Sequence, residues 1–127
     1  MRNFLLILGA LVLLAGCAAA EQQNANETSM VLSQAGFQVQ TAKTPAQKQH
    51  LDSLPQRKVF KLKRQGQDWY VFADAKGCNC LYIGDYVQYQ RYKSYAWNWY
   101  MQTGQERLDY ISGDSTTSGG WNDWGPW

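Results

Sequence analysis

Between Val59 and Ala73, apolar and polar residues alternate on either side of Gln65-Gly66-Gln67, and no other stretch restricts the fold of this chain as tightly. In an extended strand successive side chains point to opposite faces, so such alternation buries one face and wets the other. A Gly-containing turn between two such runs joins them as an antiparallel β-hairpin. The spacing predicts strands over Val59 to Lys63 and Trp69 to Ala73, with Phe60 and Leu62 on the packed face and Lys61 and Lys63 toward solvent.

The elements around the hairpin follow from local signals. Met30 to Ala35 reads as a short helix stopped by Gly36, and Phe37-Gln38-Val39-Gln40 then alternates as a strand does. Thr44 is placed to cap a helix and Pro45 to occupy its first position, with Ala46 to Leu54 following until Pro55 and an apolar side made by Leu51 and Leu54. Leu81-Tyr82-Ile83 adds a third strand before Gly84. Asp85 caps a last helix from Tyr86 to about Gln102, ended by Gly104. The order helix, strand, helix, hairpin, strand, helix predicts an α+β fold: a small antiparallel sheet built on the hairpin, with two or three helices packed on one face.

That domain does not use the whole chain. Arg2 and Asn3 form a short positive start, Phe4 to Leu14 an apolar run, and Ala15-Gly16 place small residues before Cys17, the pattern of an export signal over residues 1–16. The apolar run is shorter than the ~20 residues that cross a bilayer as a helix. Leu14-Ala15-Gly16-Cys17 resembles the lipobox of bacterial lipoproteins, in which the cysteine becomes the mature N-terminus and carries lipid. The resemblance covers only the signal region, and an ordinary secretory peptide is the alternative. It implies lipidation of Cys17, and two or three acyl chains hold a protein stably at about 0.8 kcal/mol per buried methylene. Ala18 stands where many such proteins retained in the inner membrane carry Asp, so the family rule points to the outer membrane facing the periplasm. Residues 17–29, polar and free of aromatics, read as a flexible tether. Residues 30–103 form the domain, and residues 104–127, rich in Gly, Ser and Trp, read as a mostly disordered tail.

Charge excludes one class of partner. Of 12 basic side chains only Arg2 precedes Cys17, leaving 11 against 10 acidic ones. A balance of +1 predicts no nucleic-acid partner. Lys43, Lys48, Arg57, Lys58, Lys61, Lys63 and Arg64 oppose only Asp52 across residues 43–64, while residues 104–127 carry −3 (Arg107 against Glu106, Asp109, Asp114 and Asp123). The two segments can attract each other. A solvated strand face is the ordinary reading of the first, and docking on anionic lipid the alternative.

Cys78-Asn79-Cys80 is the sharpest chemical feature. In an exported domain with Cys17 lipidated these two cysteines are the even pair that remains, so an intramolecular disulfide is the simplest outcome. Residues two apart on an extended strand stand near the upper limit for bridging, so the backbone must bend, and Gly77 is the residue expected to permit it. Three roles stay open: a structural clip, thiol exchange through a reducible bond, and a dithiolate for a soft ion such as Cu(I). Zinc wants about four ligands, and the single histidine, His50, falls on a polar helix where solvent exposure is expected, so no metal site and no cofactor is assigned.

Aromatic residues make up 14% of the chain, enough that not all need be core. Tyr86, Tyr89, Tyr92 and Tyr95 recur every three residues, followed by Trp97, Trp99 and Tyr100. Core packing is the plain reading, and binding of sugar, peptide or another envelope protein by exposed rings the alternative. Trp121, Trp124 and Trp127 invite the same alternative, or interfacial membrane contact. For catalysis the inventory is poor: Gly113-Asp114-Ser115 lies in the tail, and no histidine triad, phosphate loop or close carboxylate pair is present, so no catalytic residue is assigned.

Residues 30–93, with Ala35-Gly36-Phe37, Thr44-Pro45, Leu54-Pro55, Tyr70-Val71-Phe72-Ala73-Asp74, Cys78-Asn79-Cys80 and Tyr82-Ile83-Gly84, are similar to a family of small exported proteobacterial proteins of unknown function. That resemblance implies no activity. The expectation is a membrane-anchored envelope lipoprotein whose domain binds or supports an envelope protein or cell-wall partner without catalysis. The alternative is a thiol-redox or copper-handling periplasmic lipoprotein using Cys78 and Cys80.

Overall fold

The structure, a computed structural model, describes residues 22–23, 25–104 and 120–127. Four antiparallel strands, β1 (Gln38–Thr41), β2 (Val59–Arg64), β3 (Gln67–Asp74) and β4 (Cys80–Gly84), lie in the order β1-β4-β3-β2. The hairpin β2-β3 is at one edge in the register the alternation demands, Phe60 opposite Val71 and Arg64 opposite Gln67. Gln65 and Gly66 form its two-residue turn with φ of 53° and 76°, the left-handed pair that matches the twist of the flanking strands.

Three helices complete the α+β fold. α1 runs over 25–34, with residues 22–23 also helical, α2 over Pro45–Ser53 and α3 over Tyr86–Thr103. Both predicted caps are present as capping boxes: the Thr44 hydroxyl accepts from the Gln47 N–H, and the Asp85 carboxylate from the Gln88 N–H at 2.8 Å. Each Gln side chain bonds back to its cap's own N–H, satisfying two orphan donors at once. α3 ends at Gly104, and α2 stops at Leu54 before Pro55.

The sheet is covered on both faces. On one, Phe60, Leu62, Val71, Ala73, Leu81 and Ile83 pack against Leu51 and Leu54 at the end of α2. On the other, Val59, Tyr70 and Phe72 pack against Leu32 of α1, Ala35 just after it and Tyr92 of α3. Two helices share one face and α2 occupies the opposite one, so the face of Lys61 and Lys63, expected to meet solvent, is covered by α1 and α3 over Val59, Tyr70 and Phe72. Each of these large apolar side chains, buried to a few per cent exposure or less, contributes about 1.5–3 kcal/mol.

Two boundaries differ from expectation. The reading of residues 17–29 as a flexible tether fails for those that are described, because 22–23 and 25–29 are helical. Ala25 and Thr28 are buried and continue the stripe of Leu32 and Ala35 at spacings of three and four, while Gln22 bonds Asn26 and Gln23 bonds Glu27 on the outside. The polar composition was the wet face of an amphipathic helix whose dry face uses small residues. The tail differs likewise at its end. Residues 121–124 form a 3₁₀ turn that puts Trp121 and Trp124 into the α2-side core, so residues 120–127 are ordered by packing. A spacing of three residues is one turn of that helix, which stacks the two indoles on one side. The Gly/Ser-rich part of the tail lies outside the described residues.

Candidate functional site

Cys78 and Cys80 lie at disulfide-bonding distance in the β3-β4 turn, with Cα atoms 5.1 Å apart. Fully extended, residues two apart would stand about 6.6 Å from one another. The bend that closes this gap is at Asn79, whose φ is +54°, and not at Gly77 as expected. Asn tolerates the left-handed region better than most residues. Asn79 is also fastened to the loop after β1: its carbonyl accepts from the Ala42 N–H at 2.9 Å and its amide donates to the Ala42 carbonyl at 3.3 Å. Gly77 serves a different purpose. Its N–H donates to Asp74 Oδ1 at 2.9 Å, and a Cβ there would collide with the Asp74 carboxylate. Cys78 is exposed, whereas Cys80 is buried in the strand.

Asp74 and Arg57, which sequence reasoning did not single out, support this turn. Asp74 is buried and accepts from Arg57 Nε at 3.1 Å. Arg57 has a left-handed backbone (φ 57°), and its guanidinium also donates to Gln22 Oε1 at 2.8 Å. Gln56 beside it donates to the carbonyls of Leu51 and Leu54 and accepts from the Ala75 N–H. The start of α1, the end of α2, the start of β2 and the cysteine turn are thus tied together at one pole. The one sequence signal for this was an acidic residue ending an apolar strand three residues before a glycine.

A second cluster surrounds His50. Its ring is half-buried, not solvent-exposed as expected, because Trp121 packs edge-on against it at 4.5 Å between centroids and Trp124 Nε1 donates to its Nδ1 at 2.8 Å. Nδ1 is therefore an acceptor, which is the neutral imidazole carrying its proton on Nε2. Trp127 closes the cluster, edge-on to Trp69 and Trp121, with the Arg64 guanidinium 4.3 Å above its ring. Gln47 Nε2 donates to the Asp123 carbonyl at 2.9 Å. Beside Trp124, a cavity of about 390 Å³ is lined by Val39, Gln40 and Thr41 of β1 with Lys43 and Gln47.

α3 divides its aromatics. Tyr92 is buried, and Tyr89 stacks on Tyr70 of β3 with ring centroids 4.1 Å apart. Burial holds the Tyr70 hydroxyl above the usual tyrosine range, with Lys61 opposing and Asp68 and Tyr86 adding to the shift. Tyr86, Tyr95, Trp97 and Tyr100 are exposed, as are Val87 and Met101. The core reading of this helix holds for its inner side, and its outer side leaves aromatic rings exposed.

Three of the seven cations of the basic segment are paired within the fold. Lys48 pairs with Asp52, Arg57 with Asp74 and Lys61 with Asp68. The last two partners come from β3, outside the window in which the charges were counted. The contacts that join this segment to the described end of the tail are not between opposite charges: Arg64 stacks on Trp127 and Gln47 bonds the Asp123 carbonyl, while Glu106, Asp109 and Asp114 lie outside the described residues. Cys17 and Gly113-Asp114-Ser115 lie outside the described residues. Among those described, no helix is long and apolar enough to cross a membrane. Compared with family models, curated proteins and solved structures, the chain matches none.

Proposed function

We propose that this chain is a lipoprotein of the bacterial cell envelope, held by lipid on Cys17 to the outer membrane on its periplasmic side, whose α+β domain binds or supports a protein or cell-wall partner without catalysis. One observation carries the reading: the apolar run Phe4 to Leu14 ends in Leu14-Ala15-Gly16-Cys17, with small residues set directly before the cysteine. The domain's polar groups favour a non-catalytic role. His50 is engaged by Trp124, Asp74 by Arg57 and the Gly77 N–H, and Asp85 by its helix cap. Acid–base chemistry needs such groups aimed at a substrate. Metabolic labelling with palmitate tests the anchor: the chain is expected to take up label and Cys17→Ser to lose it, and an unlabelled chain would overturn the reading.

The exposure of Cys78 favours a second reading, thiol exchange or copper handling. An incoming thiolate would attack the Cys78 sulfur, form a mixed disulfide with it, and release Cys80 as the thiolate when the Cys78–Cys80 bond breaks. Cu(I) requires both sulfurs reduced first, since the thiolate is the ligand. Thiol counting by mass spectrometry, before and after mild reductant and with Cu(I), decides it. A pair inert to mild reductant that binds no copper sinks this reading.

A further inference from the structure

The exposed apolar surface of the domain is one-sided. Among the described residues, the large hydrophobic side chains left exposed are Met30 on α1, Val39 on β1 and six on α3. α1 and α3 cover the same face of the sheet. Val39 points to that face too, since it stands opposite Tyr82, which packs with the α1/α3 core. The α2 side contributes none of these residues and presents Lys48, Gln49 and Asp52 instead. Scattered exposed hydrophobics are ordinary, whereas their collection on one side of a small domain marks a contact surface.

Along α3, Tyr86, Lys93, Trp97 and Tyr100 follow one another at steps of seven, four and three residues, which places them on one side of the helix, with Met101 beside them. Trp97 and Tyr100 pack together, with centroids 5.6 Å apart. Between Tyr86 and Thr103 the charged residues are Arg91 and Lys93, and no acidic side chain interrupts the helix. Rings with an apolar body and a polar tip, with Lys93 among them and no carboxylate within the helix, match the headgroup zone of an anionic bilayer.

We propose that the α1/α3 side is a bilayer-contact surface, with α3 lying in the membrane interface along Trp97, Tyr100 and Met101. This rests on the anchored reading, which supplies the geometry. The chain from Cys17 to Gln22 spans at most about 18 Å even fully extended, so a lipidated Cys17 keeps the domain against the headgroups and one of its sides must face them.

The test uses the lipidated protein in vesicles of phosphatidylethanolamine and phosphatidylglycerol, with nitroxide labels on Met101→Cys and, as the control on α2, Gln49→Cys. The expected result is a label at 101 accessible to oxygen and shielded from a water-soluble nickel chelate, while the label at 49 is open to nickel. A label at 101 as open to nickel as that at 49 overturns the proposal. So does one shielded from both reagents, which means that protein covers α3, and so does spin–spin broadening, which means that a second copy does. Flotation of the same samples reports the anchor separately, so its failure is distinguishable from that of the α3 surface. In a second arm the mature chain with Cys17→Ser is expected to bind these vesicles, and Trp97→Ser with Met101→Ser to weaken that binding about tenfold or more. Unchanged binding in the double variant also contradicts the proposal.

Discussion

Replacing Trp124 measures how much of this domain depends on its last seven residues. The side chain is 5% exposed, packs in the core with Leu51, Leu54 and Phe60, and donates its indole N–H to His50 at 2.8 Å. Trp124→Ala removes the buried ring and leaves a cavity, at a cost of about 3–5 kcal/mol. Trp124→Phe keeps most of the apolar area but deletes the hydrogen bond, at about 1 kcal/mol plus a smaller packing loss. A domain of this size is stable by about 5–15 kcal/mol in total, so the alanine variant loses a large fraction. Urea unfolding is the assay, with the midpoint falling and the slope held if the native state stays compact. A cycle with His50→Phe separates the pair term: coupling of about 1 kcal/mol is expected, against additivity if the bond does not form. If Trp124→Ala stayed within about 0.5 kcal/mol of the parent, the final residues would not be packed on the sheet and the account of this face would be wrong.

Other perturbations probe the remaining contacts. Gly77→Ala forces a methyl into the Asp74 carboxylate that accepts from Arg57 and Gly77, and is expected to lower stability by about 1–3 kcal/mol in the same urea assay, an unchanged midpoint counting against the turn geometry. Because burial raises the Tyr70 pKa above its unfolded value, the neutral hydroxyl stabilises the fold fully below about pH 10, and that contribution is lost as pH rises through the folded pKa. Alkaline unfolding followed by circular dichroism is therefore expected to become shallower in Tyr70→Phe, and identical curves would contradict the burial. Reducing the Cys78–Cys80 pair opens a loop of minimal length, worth about 1.6 kcal/mol on loop-entropy grounds, so a reduced protein that stays folded with a slightly lower urea midpoint is expected. Complete unfolding on reduction would show that the clip holds far more than its own turn.

Much of this architecture could be read before the structure because it is specified locally. The hairpin follows from alternation around Gly66, and the helix starts follow from Thr44 before Pro45 and from Asp85. What could not be read depends on contacts distant in sequence. Ala25 and Thr28 look like linker residues until Leu32 and Ala35 show which side of the helix is dry. Trp121 and Trp124 look like tail residues until His50, more than seventy positions away, gives one of them a hydrogen-bond acceptor. The segment 43–64 looks more basic than it is until Asp68 and Asp74 come across from β3 to Lys61 and Arg57. The bend at Asn79 was missed because glycine is the usual choice for a turn, whereas here the side-chain amide secures the turn through Ala42. For the candidate site, Cys78 and Cys80 were legible from composition alone, but Arg57 and Asp74 were not, since nothing local says that they meet.

The claim on which the functional account depends is chemical and can be weighed directly, by intact mass and N-terminal fragmentation of the mature protein isolated from membranes. The account predicts a chain beginning at Cys17 that carries a diacylglyceryl group on the sulfur. A mature chain that starts at any other residue, or one with an unmodified Cys17, would contradict it.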